Sequence, residues 1–280
     1  MPTTRRGWIG IAVVVIAVVL TGGAAVVLFS LMVDETHFAR PDAGFDELGK
    51  RVAAVDGVRE VQKERWVEAP LFSHPSSMIS VTADAGSLAE VVRVACTQDY
   101  RDAVWWVFDL ETTSGARVSL SSSGEAQGCP AFGFDPEPVV SELDRAAPGL
   151  PVQAAVWETG RFALSSLDAT GMSDLIALVS RAEAVRTAAG LPADMPIEVA
   201  GSMLAVEIET GESTTYAELL TRLSNDLGAT GFFAGGGGTP ADGVERVQIT
   251  APKRYHAAIE AAIASSRLPI ADLPVRFLSE

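Results

Sequence analysis

Cys96 and Cys129 are the two cysteines among 280 residues, too few for a disulfide scaffold or an all-cysteine zinc site. In an oxidising compartment such a pair reads as one bridge. Closing the intervening loop would stabilise the fold by about 3–4 kcal/mol in the chain-entropy account. The competing reading is two unpaired thiols, because Cys96 falls on an apolar helical stripe, where free cysteine behaves as a small hydrophobe. Cys129 precedes Pro130 in a loop that can fold back toward Cys96. His37, His74 and His256 are scattered and form no metal-ligand spacing. Neither G-x-S-x-G nor a phosphate-binding G-x-x-x-x-G-K-[ST] occurs, and the run Gly235 to Gly238 lacks the lysine that would reach a phosphate. That run reads as a flexible hairpin loop. A carboxylate pair of the glycosidase type is a spatial feature, so no two of the 36 acids are singled out. No residue is therefore assigned to catalysis, to a cofactor or to a metal.

Trp105-Trp106-Val107-Phe108 is the chemically unusual stretch. As a strand it places Val104, Trp106, Phe108 and Leu110 on one face, with Trp105 and Val107 on the other. Either the strand is buried on both sides, between helices and a neighbouring module, or Trp105 and Val107 form a partner contact on an open sheet face.

The elements that would carry these residues recur along the chain as helix, strand, strand. Helices start near residues 45, 87, 136, 173, 215 and 253. Phe45, Leu48, Val52 and Val55 mark the first helical face, and Tyr216, Leu220, Leu223 and Leu227 mark the fifth. Ser87 to Glu90 and Thr215 to Glu218 read as capping boxes, and Asp135-Pro136 as an N-cap followed by proline at the first helical position. Leu88, Val92 and Cys96 are expected to share a face. Strand pairs are expected near 60–68 and 77–83, 103–111 and 116–122, 152–158 and 161–167, 197–200 and 203–209, and 229–234 and 244–250, with a last strand at 275–278. The fold class is α+β. One helix with two strands cannot bury its apolar face alone, so the units are expected to form antiparallel sheets with helices on one face, as permuted ferredoxin-like modules at 45–124, 135–210 and 211–280. Residues 34–44 are then a linker and 125–134 a loop. A single continuous sheet is the alternative.

Residues 8–33 carry no charge and are mostly apolar. A bilayer core needs about 20 helical residues, so this run reads as a transmembrane helix. Arg5 and Arg6 before it, with Asp34 and Glu35 after it, place residues 1–7 in the cytoplasm and the rest outside the cell membrane. A cleaved signal peptide competes, with small residues at Thr21 to Ala25 as its cut site. Apolar sequence resumes at Val26, which favours an uncleaved anchor. All 36 acids and 19 of the 21 bases lie beyond the run, giving the ectodomain a charge of −17 within a total of −15. That balance excludes nucleic-acid partners, which require clustered cations.

The chain has 18 Arg, three Lys and a single Asn. With its short basic start, one span and acidic repeated ectodomain, it resembles uncharacterised single-pass signal-anchored envelope proteins of high-GC Gram-positive bacteria. The resemblance is one of layout and implies no activity. The layout is also similar to single-span division proteins with small α+β modules, whose different element order carries no residues across. The sequence thus predicts a non-enzymatic, membrane-anchored envelope protein whose modules bind or scaffold a protein or cell-wall component. The alternative is an envelope hydrolase or transferase whose carboxylate or serine site only the fold would reveal.

Overall fold

A computed structural model describes residues 37–68, 75–97, 100–122, 128–157, 159–234 and 244–278. The apolar run 8–33, the preceding stub, His74 and the Gly235–Gly238 loop lie outside these residues. Among the described residues no helix is long and apolar enough to cross a membrane.

The recurring helix–strand–strand pattern appears as α1 (Ala43–Ala53), α2 (Leu88–Thr97), α3 (Pro136–Ala146), α4 (Ile176–Ala188), α5 (Ser213–Asn225) and α6 (His256–Ala264). The strands are β1 (His37–Ala39), β2 (Val58–Glu68), β3 (Ser76–Asp84), β4 (Trp105–Glu111), β5 (Arg117–Ser121) and β6 (Val152–Val156). They continue with β7 (Phe162–Ser166), β8 (Ile197–Gly201), β9 (Leu204–Ile208), β10 (Gly231–Ala234), β11 (Val247–Thr250) and β12 (Val275–Leu278). Strand order in the twelve-stranded mixed sheet follows chain order. Contacts divide the chain into a small unit, Met1–Asp42 with Arg65–Ser76, and a large one, Ala43–Glu64 with Ser77–Glu280. In the small unit β1 pairs antiparallel with the end of β2, His37 opposite Glu68.

The large unit corrects the expectation of antiparallel sheets in ferredoxin-like modules. Within each hairpin the strands are antiparallel, as in β4–β5, β6–β7 and β8–β9. Across each helix they are parallel, as in β3–β4, β5–β6, β7–β8 and β9–β10. The reason is geometric. A helix returns the chain to the end of the sheet where the previous strand began, so the next neighbour runs parallel. No strand is inserted between them, and the sheet grows in one direction.

Burial decides which face the helices take. Ile79, Val81 and Ala83 on β3 register with Trp106, Phe108 and Leu110 on β4, and that line continues through Val118 and Leu120, Leu164, Val199 and Val206 to Phe232 and Ile249. All are buried. Each such side chain contributes about 1.5–3 kcal/mol. Strand direction reverses from one helix-linked pair to the next while the helices stay on this one apolar face. Successive crossovers therefore alternate in hand, and the burial of a continuous apolar face outweighs the usual right-handed preference.

The first and fifth helical stripes are placed as their spacing predicts: Phe45, Leu48 and Val52 are buried, as are Tyr216, Leu220 and Leu223. The second differs, since Leu88, Val91 and Ala95 are buried and Cys96 is exposed at the margin. Neither capping box forms. Ser87 ends a short 3-10 turn and donates its hydroxyl to the Asp84 carbonyl oxygen. α5 begins two residues before Thr215, and Glu183 of α4 accepts the N–H groups of Gly211 and Ser213 at 2.6 and 3.3 Å. A carboxylate from the neighbouring helix thus does the work expected of Thr215. Asp135 occupies the N-cap position of α3 without a side-chain hydrogen bond.

Candidate functional site

The sheet's second face is polar and thinly covered. Thr82, Asp109, Ser119, Gln153 and Ser165 lie in one register row on it. Ser119 donates its hydroxyl to Asp109, and Gln153 donates its amide to the Ser121 hydroxyl at 3.4 Å.

Trp105 is set on this face by its neighbour. Trp106 is fully buried. Its indole N–H donates to the Gly128 carbonyl oxygen at 3.1 Å, and its backbone N–H donates to the Ser122 hydroxyl at 3.0 Å. It stacks on Phe108, which begins an aromatic chain through Phe132 and Phe134 to Phe162. Gly128 has φ +60°, and a Cβ there would meet the Tyr100 carbonyl oxygen at 2.6 Å, so this approach needs glycine. The adjacent Cys129 lies at disulfide distance from Cys96, with Cα atoms 4.4 Å apart. Trp106 is thus fixed inward, and alternation turns Trp105 outward, where it is 52% exposed. Val107, two residues on, is half-buried on the same face. The strand therefore has one covered and one open side.

A second tryptophan joins this face. Gln153, Ala155 and Trp157 alternate outward along the β6 side of the next hairpin, and Trp157 is 46% exposed. Its backbone N–H donates to the Arg161 carbonyl oxygen at 2.9 Å, which extends the β6–β7 pairing by one register step. Val107 faces Ser121, and the β5–β6 register sets Ser121 beside Ala155. Trp105 and Trp157 each lie two residues beyond that row at the same end of the sheet. One strand separates their own, so their backbones are about 9.5 Å apart.

Next to Trp157 stands a charged group. Arg161 reaches the Glu207 carboxylate at 3.3 Å and the Glu198 carboxylate at 3.8 Å. Glu198 and Glu207 are register partners on β8 and β9. The Glu198 side chain is only 7% exposed, and its Oε2 has no hydrogen-bond partner. Burial pushes its carboxyl above the ordinary carboxylate range, Arg161 opposes that shift, and Glu207 adds to it. Among the described residues no group of three His, Cys, Asp or Glu could hold a metal ion.

Two grooves lie on the helical side. One, of about 280 Å³, runs between α2 and α3 past Thr112, Glu137 and Asp144. Asp144 already accepts the hydroxyls of Thr112 and Ser114. The other is a shallow furrow between α4 and α5 lined by Ala177, Ser180, Ala217 and Thr221.

Of the residues singled out from sequence, Cys96, Cys129, Trp105 and Val107 thus gather around the start of β4. His256 instead stacks on Phe277, with ring centroids 3.5 Å apart. Trp157, Arg161, Glu198 and Glu207 were not singled out. The alternation from Gln153 to Trp157 carried a signal for the first, but the charged group depends on register between strands. Comparison with known proteins returns nothing for this arrangement: no family model matches the chain, nor does any curated protein or solved structure.

Proposed function

We propose that this is a single-pass, membrane-anchored extracytoplasmic protein that serves as a binding or scaffolding module of the cell envelope. Residues 8–33 would be the anchor and the open sheet face the docking surface. The observation that carries this reading is the outward Trp105, 52% exposed beside half-buried Val107 on a sheet face with no helical layer. Large apolar side chains exposed together on a folded surface mark interaction sites, and tryptophan is enriched among the residues that dominate them. The charge of −15 keeps such a surface soluble and turns it away from anionic headgroups.

One observation favours an envelope hydrolase or transferase instead. Glu198 and Glu207 are adjacent carboxyls, and the first is held above its usual range beside an arginine, as a proton donor would be. Against this, the pair sits side by side on a flat sheet rather than across a cleft.

Trp105→Ser tests the binding reading in the full-length protein. The variant should melt with the wild type yet lose the partner that wild-type protein retains on isolated envelopes. Unfolding of the variant would make Trp105 a core residue, and unchanged retention would remove the open face from function.

A further inference from the structure

We infer that the open face takes an extended, uncharged β-1,4-linked N-acetylhexosamine strand laid across β4 to β7. This rests on the binding reading and names its partner. Trp105 and Trp157 project from the same face, in the same row, about 9.5 Å apart at the backbone. In a β-1,4-linked glycan successive rings turn over, so every second ring presents the same face, one disaccharide further on. Two indoles at this spacing meet two such rings through their apolar C–H faces. The row just inside is Val107, Ser121 and Ala155, low side chains that leave room for a flat ribbon.

Beyond Trp157 the polar end of the site is set by Arg161 between Glu198 and Glu207. Arg161 is 30% exposed and Glu207 24% exposed. Both can therefore reach hydroxyl and acetamide groups, the guanidinium as donor and the carboxylate as acceptor. The local balance is one cation to two carboxyls, on a chain of net −15. A polyanionic glycan would be repelled, and an uncharged one would not. A globular protein partner is less well matched, because the two large apolar side chains stand apart on a polar sheet rather than clustering as a hot spot does.

The experiment is titration of the full-length protein in detergent with N-acetylglucosamine hexamer, followed by tryptophan fluorescence, with heparin as the anionic control. The hexamer should bind and heparin should not. Trp105→Ala and Trp157→Ala should each weaken binding about tenfold or more with unchanged melting, as loss of a dominant contact does. Trp105→Phe should keep most of the affinity and controls for folding. No binding of the hexamer, or binding indifferent to both tryptophans, overturns the inference. If the hexamer fails to bind while Trp105→Ser still loses an envelope partner, the glycan assignment falls and the binding face stands. If both fail, the binding reading falls with it.

Discussion

On the helix-covered side of β4, Trp106 is fully buried, its indole N–H is satisfied and its ring opens a line of aromatic contacts. One residue earlier, on the other side, Trp105 is half in solvent. The same division separates two carboxylates. Glu183, among the helices, is pushed up by burial, but the N–H groups of Gly211 and Ser213 outweigh that and hold its carboxyl below the usual range. Glu198, on the sheet face, keeps an oxygen without a hydrogen-bond partner and is held above that range. One face satisfies its polar groups and fills its volume. The other leaves an aromatic ring and a carboxyl unsatisfied, as surfaces that bind commonly do.

The sharpest way to break this contrast is to truncate the two adjacent tryptophans. Trp106→Ala should cost about 3–5 kcal/mol, a buried ring plus its cavity. Trp105→Ala should stay within about 0.5 kcal/mol by chemical denaturation. Equal costs would mean that both faces are core. Replacing Cys96 and Cys129 together by serine should cost about 3–4 kcal/mol, from the loop the bridge closes. Non-reducing mass spectrometry should show neither thiol free, and labelling of both would restore the unpaired reading.

The carboxylates give smaller effects of opposite sign. Glu183→Gln should destabilise at pH 7 by about 1 kcal/mol, the scale of a helix cap. The folded protein holds the Glu183 carboxyl below its unfolded value. Its contribution is therefore present above the ordinary carboxylate range and is lost as pH falls through the lowered value. Glu198→Gln should instead raise the melting temperature at pH 7. Its folded value lies above the unfolded one, so wild type recovers relative to the variant as pH falls through that raised value. Melting of both variants from pH 7 to pH 4 checks the two signs.

Much of the fold was legible because period-2 and period-3.6 patterns are local. Strands expected at 152–158 and 161–167 are β6 and β7, 275–278 is β12, and the stripe from Tyr216 to Leu223 faces the core. Parallel pairing across the helices was not legible, because it depends on where a returning helix sets down the next strand rather than on any residue within it. The cap on α5 escaped for a similar reason. Thr215 has the right type and spacing, but Glu183, 28 residues before Gly211, takes the N–H groups and moves the helix start to Ser213. At the candidate site Trp105 could be placed opposite Trp106 by alternation alone. Its match with Trp157, and that of Arg161 with Glu198 and Glu207, required the register of β4 through β9.

Hydroxyl-radical footprinting of the full-length protein, read residue by residue by tandem mass spectrometry, tests the division of the two faces most directly. One open face and one covered face predict rapid modification of Trp105 and Trp157 and strong protection of Trp106. Equal protection of Trp105 and Trp106 would contradict that division.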